Sequence, residues 1–115
     1  MIQKLIMKAM KFRGFKAQMI LEGTKTSSLR LFDDKNLTKE DDLELINFDT
    51  GQPFAYAKIT EIIEKPLGEI TDQDLIGHES FGSKEDMYAS LRKYYTDVDA
   101  TTPAKIVRFK VVAKS

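Results

Sequence analysis

GTKTSSLR, residues 23–30, joins the first predicted helix of the chain to its second predicted strand. Strand alternation places Thr26, Ser28 and Arg30 on one side of that strand. Arginine offers a fork of N–H donors to a phosphate or a polar base edge, and a desolvated lysine accepts a proton from a hydroxyl group. Lys25 and its neighbours therefore suit ligand binding or nucleophilic catalysis, although hydroxyl-rich turns that carry a lysine are also common as ordinary structure.

The sequence on both sides of this segment predicts regular secondary structure. Residues 13–22 are predicted as a helix that ends at Gly23, because glycine readily adopts the left-handed conformation of a helix C-cap. Residues 26–32 are predicted as a strand, and capping-box patterns at Thr71 and Ser83 begin two further short helices. The other predicted strands are residues 1–10, 42–48, 54–64 and 104–113.

The order of these elements predicts the fold class. The chain has 115 residues, which fits a single domain over residues 1–115, and its strands outnumber its helices. The connections are too short for parallel crossovers, which favours a mostly antiparallel sheet. We therefore expect an α+β protein, a small mixed or antiparallel β-barrel of about five strands with two to three helices packed around it.

The composition excludes several classes of site. The chain has no cysteine and a single histidine, His78, which rules out cysteine–zinc sites, iron–sulfur clusters and multi-histidine metal sites. We expect no metal and no cofactor, and we interpret His78 as a surface or helix-capping residue. No apolar run approaches the roughly 20 residues that span a bilayer, and no signal peptide is apparent. The expectation is a cytoplasmic monomer without a membrane contact.

Charge is distributed unevenly along the chain, although the formal net charge is zero. Residues 1–30 contain seven basic residues and one acidic residue, whereas residues 31–102 contain seven basic and seventeen acidic residues. Residues 103–115 contain four basic residues and no acidic ones. If the fold brings the termini together, they form one basic face. The alternative is that the basic termini pair with the acidic middle across the fold.

Taken in order, these motifs resemble those of ASCH domains, which belong to the PUA-like superfamily. GTKTSSLR at residues 23–30 resembles the GxKxxTxR signature of that family, and MILEGTKT leads into it. Three segments follow in the family's order: FAYAKITEIIEKPLGEIT at 54–71, GHESFGSKEDMYASLRKYY at 77–95 and KIVRFKVV at 105–112. The resemblance covers about residues 8–113. Residues 40–42, Glu-Asp-Asp, replace a Gly-Asp pair of many relatives, which predicts a different loop there.

The resemblance implies a small β-barrel with a cleft lined by the signature segment. ASCH domains are generally proposed to bind RNA, and one branch of small bacterial ASCH proteins hydrolyses N4-acetylcytidine to cytidine and acetate. By resemblance to that branch, Lys25 activates the hydroxyl of Ser28, which stands where the branch has threonine. Glu79 completes the implied catalytic set, and Glu85 is the alternative glutamate.

The remaining candidate ligand-binding residues are polar or aromatic. Thr26 and Arg30 are expected to line the cleft, where Arg30 is suited to stabilise an oxyanion. The alternative for Arg30 is a structural pairing with a carboxylate across the barrel. The aromatic candidates to stack on a base are Tyr56, Phe81 and Tyr94. Their alternative is packing in the core, since aromatic residues at strand or helix spacing usually point inward.

Charge bears on the choice between the possible functions. The neutral total weakens extended RNA binding, because affinity grows with the number of cations that contact phosphates, whereas a free nucleoside carries no phosphate. We predict recognition of RNA or a nucleoside- or nucleotide-like ligand at residues 25–30. The alternative is an amidohydrolase that removes the acyl group from N4-acetylcytidine or a related nucleoside. An unassigned small ligand or partner is the third possibility.

Overall fold

The computed structural model describes residues 7–33 and 35–115, in which it has five strands and two α-helices. The strands are β1 (Lys8–Phe12), β2 (Ser27–Leu31), β3 (Asp42–Asn47), β4 (Pro53–Pro66) and β5 (Pro103–Lys114). The helices are α1 (Gly14–Glu22) and α2 (Lys84–Leu91), and a short 3-10 helix spans Leu67–Glu69. Residues 1–6 of the predicted first strand lie outside the described residues.

The strands form a single sheet in the order β1-β3-β4-β5-β2. β1 runs parallel to β3, and every other neighbouring pair is antiparallel. The register between the long strands β4 and β5 shifts at Tyr56/Ala57 and at Ile59/Glu61, and such irregularities bend and twist a sheet. The sheet curls into a half-barrel with β1 and β2 at its edges. The predicted α+β class and mixed, barrel-like sheet are therefore confirmed.

Two clusters of buried apolar side chains cover the two faces of β5. Val107 and Phe109 belong to the first cluster, which joins α1 to β1, β3 and β4. Ile106 belongs to the second, which joins α2 and the 3-10 helix to β2 and β5. Leu29 and Leu31 of β2 also belong to the second cluster. Strand alternation therefore directs Ser28 and Arg30 toward the first cluster.

Local sequence signals account for the end of α1 and the start of α2. Gly23 caps α1 with a φ of 86°, and the Ser83 hydroxyl accepts the Asp86 N–H at the start of α2, so both predictions are confirmed. Thr71 makes its predicted capping contacts, but the chain then forms only hydrogen-bonded turns before Gly77, whose φ is 85°. Across the described residues, no helix combines the length and apolar character needed to cross a membrane.

The basic termini pair with the acidic middle of the chain. These ion pairs include Lys8–Asp41, Arg13–Asp49, Lys105–Asp33 and Arg108–Glu61. The same Asp49 carboxylate accepts the N–H of Gly14 at 2.9 Å and so caps α1 from the turn after β3. The structure thus contains the predicted pairing of the basic termini with the acidic middle across the fold.

Candidate functional site

Lys25 is a deeply buried cation at the junction of α1 and β2. Its backbone N–H donates to the carbonyl of Met19 at 3.2 Å, so the chain turns directly after the Gly23 cap. Its side chain is 1% exposed, and Nζ donates a hydrogen bond to Glu79 Oε2 at 2.9 Å. Desolvation outweighs the favourable charge of Glu79 and lowers the pKa of Lys25 to about 8. The amine therefore changes protonation state close to neutral pH.

Gly77 holds the second half of the site against β2. Its carbonyl accepts the N–H of Thr26 at 2.8 Å and that of Ser27 at 3.2 Å. A Cβ atom at position 77 would lie 2.1 Å from Thr26 Oγ1, and the φ of 85° also favours glycine. This close approach of two chain segments brings Glu79 to Lys25, although 54 residues separate them.

Glu79 connects Lys25 to His78. His78 Nδ1 lies 2.8 Å from the Glu79 carbonyl oxygen and 3.2 Å from Oε2, while the Phe81 ring stacks on the imidazole at 5.4 Å. Burial and then the charge of Lys25 lower the pKa of His78, which leaves it neutral at neutral pH. Burial acts to raise the pKa of Glu79, but the hydrogen bond and charge of Lys25 reverse the shift, and the net pKa is lowered. The site thus holds an ionised carboxylate beside a neutral imidazole.

The second oxygen of that carboxylate is without a hydrogen-bond partner in the described part of the chain. Glu79 Oε1 is buried and accepts no hydrogen bond from any of the described residues. Buried polar atoms in folded proteins are nearly always hydrogen-bonded, because an unmet acceptor costs free energy. The Glu79 side chain as a whole is 25% exposed, so part of it is accessible from solvent.

Ser28 and Arg30 lie on the face of β2 opposite Leu29. Arg30 Nε donates to Ser28 Oγ at 2.8 Å, and Nη2 donates to the carbonyl of Lys11 at 2.9 Å. The guanidinium also lies 4.8 Å from the centroid of the Phe12 ring. Because β1 and β2 are the sheet edges, Arg30 links the open sides of the half-barrel. In the part of the chain that the structure describes, which leaves out Asp34, Arg30 has no carboxylate at ion-pair distance, and the pairing with a carboxylate stays a prediction.

Solved structures resemble this architecture, whereas no family model and no curated protein matches the sequence. A protein of the DUF984 family model from Enterococcus faecalis aligns with a TM-score of 0.74 at 14% identity, over 99% of this chain and 85% of that one. An ASCH domain from Lactobacillus crispatus gives 0.72 at 18% identity, over 93% and 80% of the two chains. The ASCH protein of Zymomonas mobilis gives 0.61 at 16% identity, over 89% and 65%.

The chain has the ASCH fold. The resemblance read from the ordered motifs is thereby confirmed at the level of the fold. At these sequence identities, the likeness does not carry over the role of any residue, so each role in this ASCH fold rests on the local geometry.

That geometry joins some of the predicted residues and separates others. Lys25 and Glu79 are in contact, whereas Glu85 is exposed in the first turn of α2. Ser28 is buried, but its hydroxyl accepts from Arg30, and no hydrogen bond within the described residues joins it to Lys25. Thr26 is exposed and contributes its backbone N–H to the bond with the Gly77 carbonyl.

The aromatic candidates have different surroundings in the ASCH fold. Tyr56 lies on the face of β4 opposite the buried Ala55 and Ala57, which directs it away from the α1 side of the sheet. Tyr94 is 58% exposed, and its ring lies 5.8 Å from Lys16 Nζ. The expectation that Tyr94 packs in the core is wrong, because α2 ends at Leu91 and helical spacing does not extend to position 94.

Two further residues of the site were missed or misread. His78 was interpreted as a surface or capping residue, yet it is largely buried against Glu79. The charge of Lys16, like that of Arg30, lowers the pKa of Lys25, and Lys16 was not among the predicted residues. No spacing signal in the sequence relates Lys16 to Lys25, because their relative position depends on the turn after α1. Among the described residues, no group of His, Cys, Asp or Glu side chains is arranged to hold a metal ion.

Proposed function

We propose that this domain binds a nucleoside- or nucleotide-like ligand, free or as part of RNA, in the cleft beside α1, β2 and Glu79. The observation that carries the proposal is the buried Lys25–Glu79 pair, whose Oε1 atom has no partner among the described residues. A carboxylate acceptor beside an amine donor matches the edge of a base, which presents an amino group next to a carbonyl or ring nitrogen. The ASCH fold, which is generally linked to RNA binding, supports the same ligand class.

Cations around the cleft complete the proposed recognition. Arg30 presents a guanidinium with no carboxylate partner in the described residues, and the charge of Lys16 also acts on Lys25. An arginine fork suits a phosphate or a carbonyl group. The exposed ring of Tyr94, close to Lys16, offers a surface on which a base stacks. A small cluster of cations in a chain of zero net charge fits one or two nucleotides better than a long duplex.

Calorimetric titration with cytidine, uridine and cytidine 5′-monophosphate tests this proposal. We expect wild-type protein to bind at least one of them, and Lys25→Met to bind at least about tenfold more weakly, because a buried charged donor is lost. Lys8→Met is the matched control, since Lys8 also pairs with a carboxylate, at 2.7 Å, but on β1. Absence of binding to the wild type, or equal losses in the two variants, would contradict the proposal.

Hydrolysis of N4-acetylcytidine is the second candidate function, favoured by the lowered pKa of Lys25. An amine with a pKa of about 8 is partly unprotonated near neutral pH and is able to accept a proton. The Ser28 hydroxyl is buried, and it accepts from Arg30, which leaves its own proton available for transfer.

The reaction balances with the groups present and one water molecule. Ser28 Oγ forms a bond to the acyl carbon while its proton passes to Lys25 Nζ. The bond between the acyl carbon and N4 then breaks, and the proton passes from Lys25 to the leaving amine. Water hydrolyses the acetyl ester, which releases acetate and restores the Ser28 hydroxyl. In this scheme Glu79 orients the amine of Lys25 through their 2.9 Å hydrogen bond.

A further inference from the structure

A cavity of about 460 Å³ lies at the far end of β2, beyond Arg30. Its volume falls within the roughly 300–1,000 Å³ of small-molecule sites in proteins. Arg30 lines this cavity and also donates to Ser28 Oγ at 2.8 Å, so one side chain connects the cavity to the signature segment. A ligand that binds beside Lys25 and extends past Arg30 is therefore able to place its next chemical group in this cavity.

Phe32 presents an aromatic ring to this cavity from a strained backbone. The residue has a φ of 53° and its side chain is 60% exposed, although bulky residues rarely adopt a positive φ. The next side chain, Asp33, fixes the chain by accepting the N–H groups of Lys35 and Leu37 and the Lys105 amine. Strain that the surroundings maintain, at a ring exposed to solvent, is typical of functional positions.

The walls of the cavity suit a flat apolar group. Pro66 and Pro103 pair across β4 and β5 and line it together with Phe32. The lysines at its edge are already neutralised, because Lys65 pairs with Asp74 at 2.8 Å and Lys105 with Asp33 at 2.7 Å. Of the cations that line it, Arg30 alone has no carboxylate partner within the described residues, which leaves this guanidinium for an anionic group of the ligand.

We infer that this cavity is a second base subsite, so that the domain holds two adjacent nucleotides of a single strand. One base occupies the Lys25 cleft, the next stacks on Phe32 between the proline faces, and Arg30 contacts the phosphate that joins them. This inference rests on the proposed function and specifies its ligand as a single-stranded oligonucleotide. An aromatic ring beside an arginine is the combination that binds single strands with little dependence on base identity.

Titration with cytidine 5′-monophosphate and with the dinucleotide CpC, in parallel, tests the second subsite. We expect wild-type protein to bind CpC about tenfold more tightly than the mononucleotide, because one more base is stacked. Phe32→Asn removes the ring, and asparagine tolerates a positive φ, so the fold is retained. In this variant the preference for CpC is expected to disappear while the affinity for the mononucleotide is unchanged.

Phe48→Asn is the matched control for Phe32→Asn. Phe48 is 52% exposed and lies 4.2 Å from the Arg13 guanidinium, but it does not line the cavity. Its variant is expected to keep the preference for CpC. Mononucleotide binding without any preference for CpC, or a preference that survives in Phe32→Asn, would overturn the second subsite and leave the proposed function intact. If wild-type protein binds neither ligand, the proposed function fails and this inference fails with it.

Discussion

Two lysine–carboxylate pairs flank β2, one before its first residue and one after its last. Lys25 contacts Glu79 at 2.9 Å, and Lys105 contacts Asp33 at 2.7 Å. Burial lowers the pKa of Lys25 to about 8. Burial acts in the same direction on Lys105, but its hydrogen bonds to Asp33 and Glu64 and their negative charges outweigh it, and the pKa of Lys105 is raised. Similar contact distances thus accompany pKa shifts of opposite sign.

The difference arises from burial and from the number of carboxylates, because the Lys25 side chain is 1% exposed and has Glu79, whereas that of Lys105 is 13% exposed and both Asp33 and Glu64 raise its pKa. The two carboxylates also differ in how many hydrogen bonds they accept. Asp33 accepts hydrogen bonds from Lys105 and from the N–H groups of Lys35 and Leu37, which keeps both oxygens occupied. Glu79 Oε1 is buried without a partner among the described residues. A saturated pair stabilises the fold, whereas an unsaturated one beside a lysine of lowered pKa is available for a ligand.

The largest expected difference between the two lysines is the effect of their substitution on the turnover number. If the domain hydrolyses N4-acetylcytidine, Lys25→Met lowers kcat about a thousandfold, since positioned proton transfer contributes roughly 10²–10⁴-fold. Lys105→Met leaves kcat unchanged, because Lys105 is held by carboxylates at the other end of β2. Acetate release followed by an enzyme-coupled assay measures both rates.

A pair of serine variants is the control for this comparison. Ser28→Ala is expected to abolish acetate release, whereas Ser27→Ala retains it, because the Ser27 hydroxyl donates to the Ile76 carbonyl on the other face of β2. If Lys25→Met or Ser28→Ala keeps wild-type turnover, the hydrolytic scheme is incorrect. If wild-type protein releases no acetate, binding is left as the proposed function.

For the stability of the fold, we expect the Lys105–Asp33 pair to matter more than the Lys25–Glu79 pair. Asp33→Ala costs about 3 kcal/mol of unfolding free energy, because a charged acceptor of several hydrogen bonds is lost and Lys105 is left poorly compensated. Glu79→Ala costs about 1 kcal/mol, since Lys25 is able to lose its proton and an unpaired buried oxygen is removed. Urea unfolding of both variants at neutral pH measures the difference. Equal costs would show that the two pairs play the same structural part.

Local patterns predicted much of the fold, while contacts between distant segments required the structure. Gly23 and Ser83 were recognised as helix caps, because capping depends on neighbouring residues alone. Glu79 was assigned to Lys25 by family resemblance, since no spacing rule relates residues 54 positions apart. Tyr94 was misread because the pattern did not show that α2 ends at Leu91. The partner of Arg30 on β1 was missed, because pairing of the barrel edges depends on how the whole sheet curls.

Alkaline pH offers a direct test of the opposite pKa shifts. The folded pKa of Lys25, about 8, lies below the ordinary value of 10.5, so between these values the unfolded chain binds more protons than the folded one. The contribution of Lys25 to stability therefore rises with pH in this window. The raised pKa of Lys105 has the opposite sign, because its stabilisation is complete at lower pH and is lost as the pH rises through the folded pKa.

Substitution of Lys25 isolates the first of these contributions. From about pH 7.5 to about pH 9.5, the wild type is expected to gain roughly 2 kcal/mol relative to Lys25→Met, because the variant lacks the titrating amine while Lys105 acts equally in both proteins. Urea unfolding of the two proteins at both pH values measures the gain. A constant difference between them would mean that the pKa of Lys25 is not lowered, and Lys25 would then be as structural as Lys105.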